Sequence, residues 1–268
     1  MRDALLKTPS FTFERNIFFQ KEMERSDEFE KTYSDLREKE NRIYPDEIVQ
    51  KLPSLPKALP QEHEWVVRGI TMRKLIKYLS RKNHKGPILE LGCGNGWLAH
   101  QLAISLHREI CAIDINKSEL LQGARLFKAC ENLIFVCANI FKVDFKKRTF
   151  DTILLPSSVQ YFPNLKQLIN RLFEILKPSG EIHIVDSPFY KSATESKDAK
   201  KRSYNYFDSR GLREMTNHYF HHTLLDLKEF NPTVLFNPNS LIPLIKRKIL
   251  KIPQAVFPWV LIKSNEVL

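Results

Sequence analysis

The stretch that determines the fold is Ile88-Leu89-Glu90-Leu91-Gly92-Cys93-Gly94-Asn95-Gly96 (residues 88–96). A short apolar strand runs directly into a loop with three glycines, and WLAHQLAISL (97–106) predicts a helix after it. Glycines in such a loop permit a tight turn and let a ligand approach the main chain closely. The helix that follows offers its N-terminal amide groups to a polar ligand group. The segment therefore predicts a small-molecule cradle at the carboxyl end of a strand.

The spacing of glycines and acids distinguishes this loop from a dinucleotide-binding loop. The pattern G-x-G-x-x-G beginning at Gly92 would need glycine at position 97, where Trp97 stands. Instead, Glu90 precedes the first glycine by two residues, and Asp114 follows Gly96 by eighteen at the end of the next apolar run. An acid at that point can accept hydrogen bonds from both ribose hydroxyls of an adenosine.

Apolar strands alternate with helices on both sides of this loop. The predicted strands are 87–92, 109–115, 132–137, 150–155, 180–187, 222–230 and 257–263. The predicted helices among them are 97–106, 117–129, 164–176 and 209–219. This order predicts an α/β fold with a Rossmann-like, mostly parallel sheet of seven strands, helices on both faces and an antiparallel last strand.

The chain divides at about residue 61. We assign 62–268 to the α/β domain, which opens with a predicted helix over 62–82. Residues 1–61 form an N-terminal appendage with a predicted helix over 20–40 and a proline-punctuated stretch after it. This appendage either covers one face of the sheet or, as we prefer, forms part of an acceptor pocket.

Two segments near the C-terminus interrupt the alternation. The polar segment 191–202 predicts a mobile connection. An insertion at about 231–256 separates the last two predicted strands, and within it 239–252 predicts a helix with one apolar face and basic residues away from that face. Such a helix can pack on the surface, form a substrate lid or touch a membrane.

The composition is that of a globular protein. Of 268 residues, 43% are hydrophobic and 27% charged, which excludes disorder over most of the chain. No apolar run approaches the roughly 20 residues that span a bilayer, and charge interrupts residues 1–15 too early for a signal-peptide core. The four cysteines form no Cys-x-x-Cys pair, so we expect a cytoplasmic protein without a disulfide scaffold.

The net charge of +11 is distributed unevenly. Residues 86–190 carry 11 basic and 10 acidic groups, whereas 1–85 carry 18 and 14, and 191–268 carry 13 and 7. A neutral middle disfavours a nucleic-acid groove there, and basic flanks favour an anionic or membrane-associated substrate.

Five segments within 86–190 together resemble the class I S-adenosylmethionine-dependent methyltransferases, in particular the small-molecule type related to the ubiquinone and menaquinone biosynthesis enzymes. ILELGCGNGWLA is similar to their first motif, AIDIN to the second and CANIFKVDF to the adenine-contacting segment. FDTILLPSSVQYF is similar to the fourth-strand motif, and LKPSGEIHIVDSPF to the turn into strand five. The resemblance implies the fold predicted above, S-adenosyl-L-methionine as cofactor and methyl transfer as the reaction.

The resemblance assigns one group of residues to the cofactor. They are Glu90, Gly92, Cys93, Gly94, Gly96, Asp114, Ile115, Asn139, Ile140 and Leu155. It implies that the three glycines let the backbone run close to the methionine part of the cofactor. Glu90 and the backbone carbonyl of Leu155 would contact the amino group of that part, and Cys93 would be a small filler. Asp114 binds the ribose in this scheme.

The same scheme places adenine between Ile115 and Ile140, with Asn139 at its edge. Many relatives carry Asp where Asn139 stands, and an amide oxygen can still accept a hydrogen bond.

The general base is not fixed by the resemblance, because Gln160-Tyr161 stands where many relatives carry His-His. Candidates are Tyr161, His183, Asp186 and the cluster 62–64 (Glu-His-Glu). His183 alternates with apolar neighbours, as core histidines do. No metal site is expected, since the histidines at 218, 221 and 222 have no matching cysteine or carboxylate pattern.

The sequence thus predicts methyl transfer from S-adenosylmethionine to a small organic acceptor, either anionic or lipid-like, with peripheral membrane contact through 239–252 as one option. An RNA methyltransferase is the first alternative; the neutral middle disfavours it, and 154–157 (Leu-Leu-Pro-Ser) is no Asn/Asp-Pro-Pro-aromatic motif. A catalytically silent cofactor-binding partner subunit is the second. No pattern indicates an oligomeric state.

Overall fold

A nine-stranded sheet forms the centre of the computed structural model, which describes residues 5–6, 10–21 and 27–264. The strands are β1 (Phe11–Glu14), β2 (Ile17–Gln20), β3 (Ile88–Leu91), β4 (Ile110–Asp114), β5 (Leu133–Cys137), β6 (Phe150–Pro156), β7 (Leu176–Val185), β8 (Thr233–Phe236) and β9 (Trp259–Lys263). Their order across the sheet is β1-β2-β5-β4-β3-β6-β7-β9-β8.

The five central strands, β3 to β7, are parallel, and β9 runs antiparallel to β7, as predicted. The register pairs Leu91 with Ile113 and Asp114 with Cys137. The loops that follow β3, β4 and β5 therefore lie side by side at one edge, and those after β6 and β7 join them. The order of the strands reverses between β4 and β6, beside β3, and such a switch point is where open α/β sheets bind ligands.

Helices cover both faces of this sheet. They are α1 (Asp27–Lys39), α2 (Asp46–Val49), α3 (Glu62–Leu79), α4 (Trp97–Leu106), α5 (Lys117–Leu126), α6 (Leu165–Ile175), α7 (Ala193–Asp208) and α8 (Leu241–Lys248). Short 3₁₀ helices are formed by Val159–Tyr161, Arg213–Asn217 and Leu224–Phe230. Alternate residues of the strands enter two large apolar cores, one under α3, α4 and α5 and the other under α6. A smaller third cluster joins α1 to the segment around Phe207 and Met215.

The strand count of seven is too low, because the N-terminal segment is not only helical. Strands β1 and β2 form a hairpin, and β2 pairs in parallel with β5 from Ile17 beside Phe135. Arg15 and Asn16 turn the hairpin with positive φ angles of 49° and 62°. Two-residue hairpin turns of this kind usually contain glycine, which is absent here.

Residues 222–230 are not the predicted strand. Thr223 and Asp226 form a capping box, in which Thr223 N donates to Asp226 Oδ2 at 2.7 Å, and this box begins the 3₁₀ helix Leu224–Phe230. The strand lies later, at β8, inside the insertion predicted for 231–256. The insertion also holds the predicted helix, shortened to α8.

The polar segment 191–202 is helical rather than a loose connection. Ser192 caps α7 by accepting a hydrogen bond from Glu195 N at 3.1 Å, and Ala199 and Phe207 face the interior. Because only two positions of this mostly charged helix are buried, its sequence shows only a weak helical period of apolar residues, and the helix was not predicted. The helix predicted over 209–219 is limited to the 3₁₀ turn Arg213–Asn217.

Candidate active site

A cavity of about 840 Å³ lies at the carboxyl edge of the parallel strands. The loops after β3 to β7 form one end of it, and α1, α7 and residues 202–219 form the other. The two ends differ in chemistry, since the first presents glycine backbone and carboxylates and the second presents aromatic rings and arginines.

Asp114 organises the glycine loop at the first end. Its Oδ2 accepts a hydrogen bond from Gly94 N at 2.7 Å, and its Oδ1 accepts one from Asn116 N at 2.9 Å. Asn116, not Asp114, caps α5, because the Asn116 side chain accepts from Glu119 N. Both carboxylate oxygens of Asp114 are thus fixed in place and keep lone pairs for two further donors.

Two of the three predicted glycines serve the cavity and one serves the core. Gly92 and Gly94 line the cavity with positive φ angles of 79° and 54°. Gly96 does not line it: its φ of 72° begins α4, and a Cβ there would lie 2.4 Å from the Phe135 ring. Gly96 is therefore required for the packing of α4 on β5.

Glu90 is a buried carboxyl group on the cavity wall. It is 1% exposed, and within the described residues no group donates a hydrogen bond to its Oε2. Burial, followed by the charge of Asp114, raises the pKa of Glu90 well above the usual range. A buried carboxyl oxygen without a donor is expected only where a ligand supplies one, and an ammonium group fits it.

The residues that the resemblance assigned to adenine lie on two neighbouring loops. Ile115 follows β4, Asn139 and Ile140 follow β5, all three line the cavity, and Asn139 Oδ1 accepts a hydrogen bond from Phe141 N at 3.0 Å. The hairpin supports this loop from outside, since Asn139 N donates to Gln20 Oε1 at 3.2 Å.

The remaining residues that the resemblance assigned to the cofactor separate into two groups. Cys93 is buried and lines the cavity, as a small filler would. Leu155 is fully enclosed in the sheet beside Ile184 and does not line the cavity, whereas the next residue, Pro156, does.

Aromatic rings form the wall at the second end of the cavity. Tyr161 contacts Phe29, Tyr33 and Tyr219 edge to face, with ring centroids 5.6 to 5.9 Å apart. Phe29 and Tyr33 belong to α1, so the N-terminal helix lies over the cavity together with Phe207 of α7. An acceptor at this end would be held between apolar ring faces and phenol hydroxyls.

The arginines of this wall are not equally neutralised. Arg42 makes a bidentate pair with Glu64, and Arg68 also pairs with Glu64 at 3.0 Å. Arg37 has no ion pair or side-chain hydrogen bond to any described residue, and its buried Nε has no acceptor. The carboxylates of Glu119 and Glu40 stabilise the charge of Arg37 from a distance, and its Nε can still donate to an anion on a ligand.

The three side chains predicted as bases are placed differently. Tyr161 and Asp186 line the cavity, but His183 does not. His183 is fully buried: its Nδ1 accepts from Trp259 Nε1 at 3.1 Å, and its Nε2 lies 3.4 Å from Glu181 Oε2. The catalytic assignment of His183 is therefore corrected to a structural one.

Asp186 combines access to the cavity with a perturbed acidity. It follows β7 directly, and its Oδ1 accepts a hydrogen bond from Thr71 Oγ1 at 2.7 Å. Burial raises the pKa of Asp186 to about 6, opposed by Arg68. Burial also raises the pKa of Tyr161 above 10.0, so its phenol is neutral. Of the cluster 62–64, only Glu64 reaches the cavity, and its charge is balanced by the two arginines.

Sequence reasoning missed six charged residues of the cavity, among them Glu119 and Arg37. Burial, with a contribution from Asp114, raises the pKa of Glu119 to about 7. A Cβ on Gly94 would lie 3.3 Å from Glu119 Oε2, which places the carboxyl against the glycine loop. The only sequence feature that pointed to Glu119 was its position three residues after Asn116, the residue that caps α5. Arg37 lies on a charge-rich helix, where nothing in the sequence distinguishes it from its neighbours.

Within the described ranges, no group of three or more His, Cys, Asp or Glu residues is arranged to hold a metal ion. No helix among these residues is both long enough and apolar enough to cross a membrane.

A doubly wound sheet with a glycine loop after β3, an acid at the end of β4 and a cavity that continues to an aromatic wall is an arrangement that can hold a nucleoside cofactor beside a second molecule. Residues 88–180 match the family model of a methyltransferase domain. This match supports the prediction from the motifs of a class I S-adenosylmethionine-dependent methyltransferase, with S-adenosylmethionine as cofactor.

Curated relatives match over the same part of the chain. It is 25% identical over 119 residues to the ubiquinone/menaquinone biosynthesis C-methyltransferase UbiE of Wigglesworthia glossinidia brevipalpis, covering 42% of this chain and 48% of that protein. It is 34% identical over 110 residues to the malonyl-[acyl-carrier protein] O-methyltransferase of Bacillus anthracis, covering 40% of each. The matches thus span less than half the length of these relatives.

A solved structure shares the fold more completely. The geranyl diphosphate C-methyltransferase of Streptomyces coelicolor A3(2), solved with Mg²⁺, geranyl diphosphate and S-adenosyl-L-homocysteine, has a TM-score of 0.56. The similarity covers 79% of this chain and 86% of that one at 11% identity, so it establishes the fold alone. None of these three proteins is named for an RNA acceptor.

Proposed function

We propose that this protein transfers the methyl group of S-adenosylmethionine to a small organic acceptor that carries a negative charge. The observation that carries the proposal is the single cavity of about 840 Å³, with carboxylates and glycine backbone at one end and an aromatic, cationic wall at the other. A methyl donor and an acceptor can meet in such a cavity with water largely excluded.

The residues at the first end fit the cofactor. Asp114 would accept hydrogen bonds from the ribose hydroxyls, Glu90 would accept from the amino group, and Asn139 would meet the adenine edge. Gly92 and Gly94 leave space for the methionine part. When bound, the cofactor supplies an electrophilic methyl group on a sulfonium.

The protein's own contribution is chiefly alignment. The aromatic wall around Tyr161 would hold the acceptor so that its nucleophilic atom faces the first end of the cavity, and correct positioning can supply much of the acceleration. Ring faces close to the sulfonium would also stabilise its positive charge by about 0.5–2 kcal/mol.

Arg37 is the residue that we propose recognises the acceptor. It lies on α1 at the second end, and its buried Nε has no acceptor among the described residues, so it can donate to an anionic ligand. A carboxylate or phosphate on the acceptor would form a charge-assisted, bidentate pair with it. The matches to UbiE and to the malonyl-[acyl-carrier protein] enzyme span less than half of those proteins, so their acceptors are not transferred to this chain.

Asp186 is the proposed general base where the acceptor must lose a proton. With a pKa raised to about 6, its carboxylate is present at neutral pH and is more basic than an ordinary aspartate. Tyr161 would then position the acceptor through its hydroxyl. The four free cysteines fit a reducing compartment, and we retain the cytoplasm as the proposed location.

Labelled cofactor tests the function directly. The protein is incubated with methyl-labelled S-adenosylmethionine and a cell extract that is then separated into RNA, protein, lipid and small-metabolite fractions. We expect label in the acidic small-metabolite or lipid fraction, and none with the Asp114→Ala variant. Label confined to RNA or protein would contradict the proposal. Binding of S-adenosylhomocysteine without label in any fraction would favour the silent-subunit alternative.

A further inference from the structure

The insertion carries a concentration of exposed apolar side chains. Within the described residues, nine of the fifteen large hydrophobic side chains that are exposed lie between residues 234 and 256. They are Val234, Leu235, Leu241, Ile242, Ile245, Ile249, Leu250, Ile252 and Val256. Helix α8 has no buried residue, and Leu241 is 72% exposed. An apolar cluster of this size on a surface indicates a binding partner.

Basic residues border the same cluster. Lys246, Arg247 and Lys248 occupy the last turn of α8, and Lys251 follows it, while the range 231–256 contains no acid. Leu241, Ile245 and Ile249 are spaced four residues apart and share one face of the helix, with Lys246 and Arg247 turned from it. This is the pattern of a helix that lies flat at a membrane interface.

The strand that begins the insertion adds a further cation. Lys74 of α3 lies over the Phe236 ring at 3.9 Å, and burial, followed by the charge of Lys246, lowers the pKa of Lys74. Positive charge from α3 and α8 is therefore concentrated around this cluster. A second protein surface would need matching acids, whereas an anionic bilayer offers acyl chains and negative charge together.

The insertion returns to the active site at its far end. Phe257 lines both the main cavity and a small cleft that it shares with Lys74, Phe236 and Asp186. A surface docked on a bilayer through α8 would thus bring the cavity wall close to the lipid.

We propose that the insertion surface, defined as residues 234–256, docks on a membrane that contains anionic phospholipid. The apolar side chains enter the interface between headgroups and acyl chains, and the basic residues pair with headgroup phosphates. This proposal does not rest on methyl transfer, and its test uses binding alone.

Vesicle sedimentation tests the proposal with the full chain. Vesicles are made from equal parts of phosphatidylcholine and phosphatidylglycerol, or from phosphatidylcholine alone. We expect binding to the mixed vesicles that falls about tenfold in affinity in Ile245→Ser/Ile249→Ser and that weakens with added salt. The control Leu225→Ser removes a side chain outside the insertion whose exposure (68%) is close to that of Ile249 (70%), and it is expected to bind as the unchanged protein does.

The charge contribution has its own matched pair of variants. Lys246→Gln/Lys248→Gln is expected to lose about tenfold in affinity for mixed vesicles, and Lys197→Gln/Lys200→Gln on α7 is expected to lose less than twofold, although both remove two exposed charges. Unchanged S-adenosylhomocysteine affinity in all variants verifies the fold.

Three outcomes would overturn the proposal. The first is that the unchanged protein does not bind mixed vesicles, and the second is that it binds neutral vesicles equally well. The third is that the unchanged protein binds no vesicles while Ile245→Ser/Ile249→Ser changes the molar mass in solution. The last would assign the surface to a second copy of the chain. None of the three bears on methyl transfer.

Discussion

Replacing Asp114 by alanine tests the cofactor end of the cavity most directly. The carboxylate oxygens are fixed by the Gly94 and Asn116 amides at 2.7 and 2.9 Å, so they are already oriented for the two ribose hydroxyls. A hydrogen bond to a charged group contributes about 1.5–3 kcal/mol, and we take the lower value for each hydroxyl because burial raises the pKa of Asp114. The loss of about 3 kcal/mol corresponds to roughly a 150-fold weaker complex.

Isothermal titration with S-adenosylhomocysteine measures this loss. Asp114 also holds the glycine loop, so a loss of affinity could come from a disordered loop instead of a lost ribose contact. A second ligand without one ribose hydroxyl distinguishes these two causes. The unchanged protein is expected to bind the 2′-deoxy analogue about tenfold more weakly, whereas Asp114→Ala is expected to bind both ligands alike. Equal discrimination by both proteins would mean that Asp114 does not meet the ribose.

A matched control separates this effect from general loss of a structural carboxylate. Asp151 accepts a backbone N–H from Gly86 and pairs with Lys177, outside the cavity. Asp151→Asn is expected to lower the free energy of unfolding in urea without changing the affinity for S-adenosylhomocysteine. If Asp114→Ala stays folded and binds within threefold of the unchanged protein, the assignment of the cofactor end is refuted.

Three further substitutions test the other charged groups of the cavity. Arg37→Gln is expected to leave the affinity for S-adenosylhomocysteine and for 5′-methylthioadenosine within threefold in titration calorimetry; a loss for the first ligand alone would assign Arg37 to the cofactor's carboxylate instead of the acceptor. Glu119 binds its proton more tightly in the folded state (pKa about 7) than in the unfolded chain, so its stabilising contribution is present below about pH 4.5 and is lost as pH rises through 7. Urea unfolding should therefore show Glu119→Gln gaining about 2 kcal/mol relative to the unchanged protein between pH 5 and 8, and a pH-independent difference would contradict the burial of this carboxyl. Asp186→Asn is expected to slow labelled methyl transfer by roughly 10²–10⁴ and to remove the rise in rate around pH 6; a retained rise would exclude Asp186 as the base.

The position of the carboxylates and glycines at the first end of the cavity could be predicted from sequence because these residues are local to the strand ends. Glu90 and Asp114 each end or nearly end an apolar run, and the register of β3 with β4 brings them to one edge without further information. The exceptions have physical causes. Gly96 and Leu155 were assigned to the ligand by their place in a motif, but each is required by packing against the sheet.

The elements that sequence reasoning misplaced are those set by capping and by pairing across the chain. The capping box of Thr223 outweighs the β-like apolar pattern that follows it. The hairpin β1–β2 becomes stable only because β2 finds the edge of β5 more than a hundred residues away. Arg37 and Glu119 likewise become neighbours of one cavity only when α1 folds over α5, and no period or spacing in either helix encodes that contact.

The boundary of the family match divides the proposed cofactor end of the cavity from most of the proposed acceptor end. Residues 88–180 supply the glycine loop, Glu90, Asp114 and the residues to which we assign adenine. Apart from Tyr161 and its neighbours, the acceptor wall comes from outside that match, from α1, α7 and the segment 202–219. These flanks also carry the basic excess that the middle of the chain lacks. We therefore propose that the basic excess of these flanks serves acceptor recognition at Arg37 and the insertion surface, and that the acceptor is to be sought among anions.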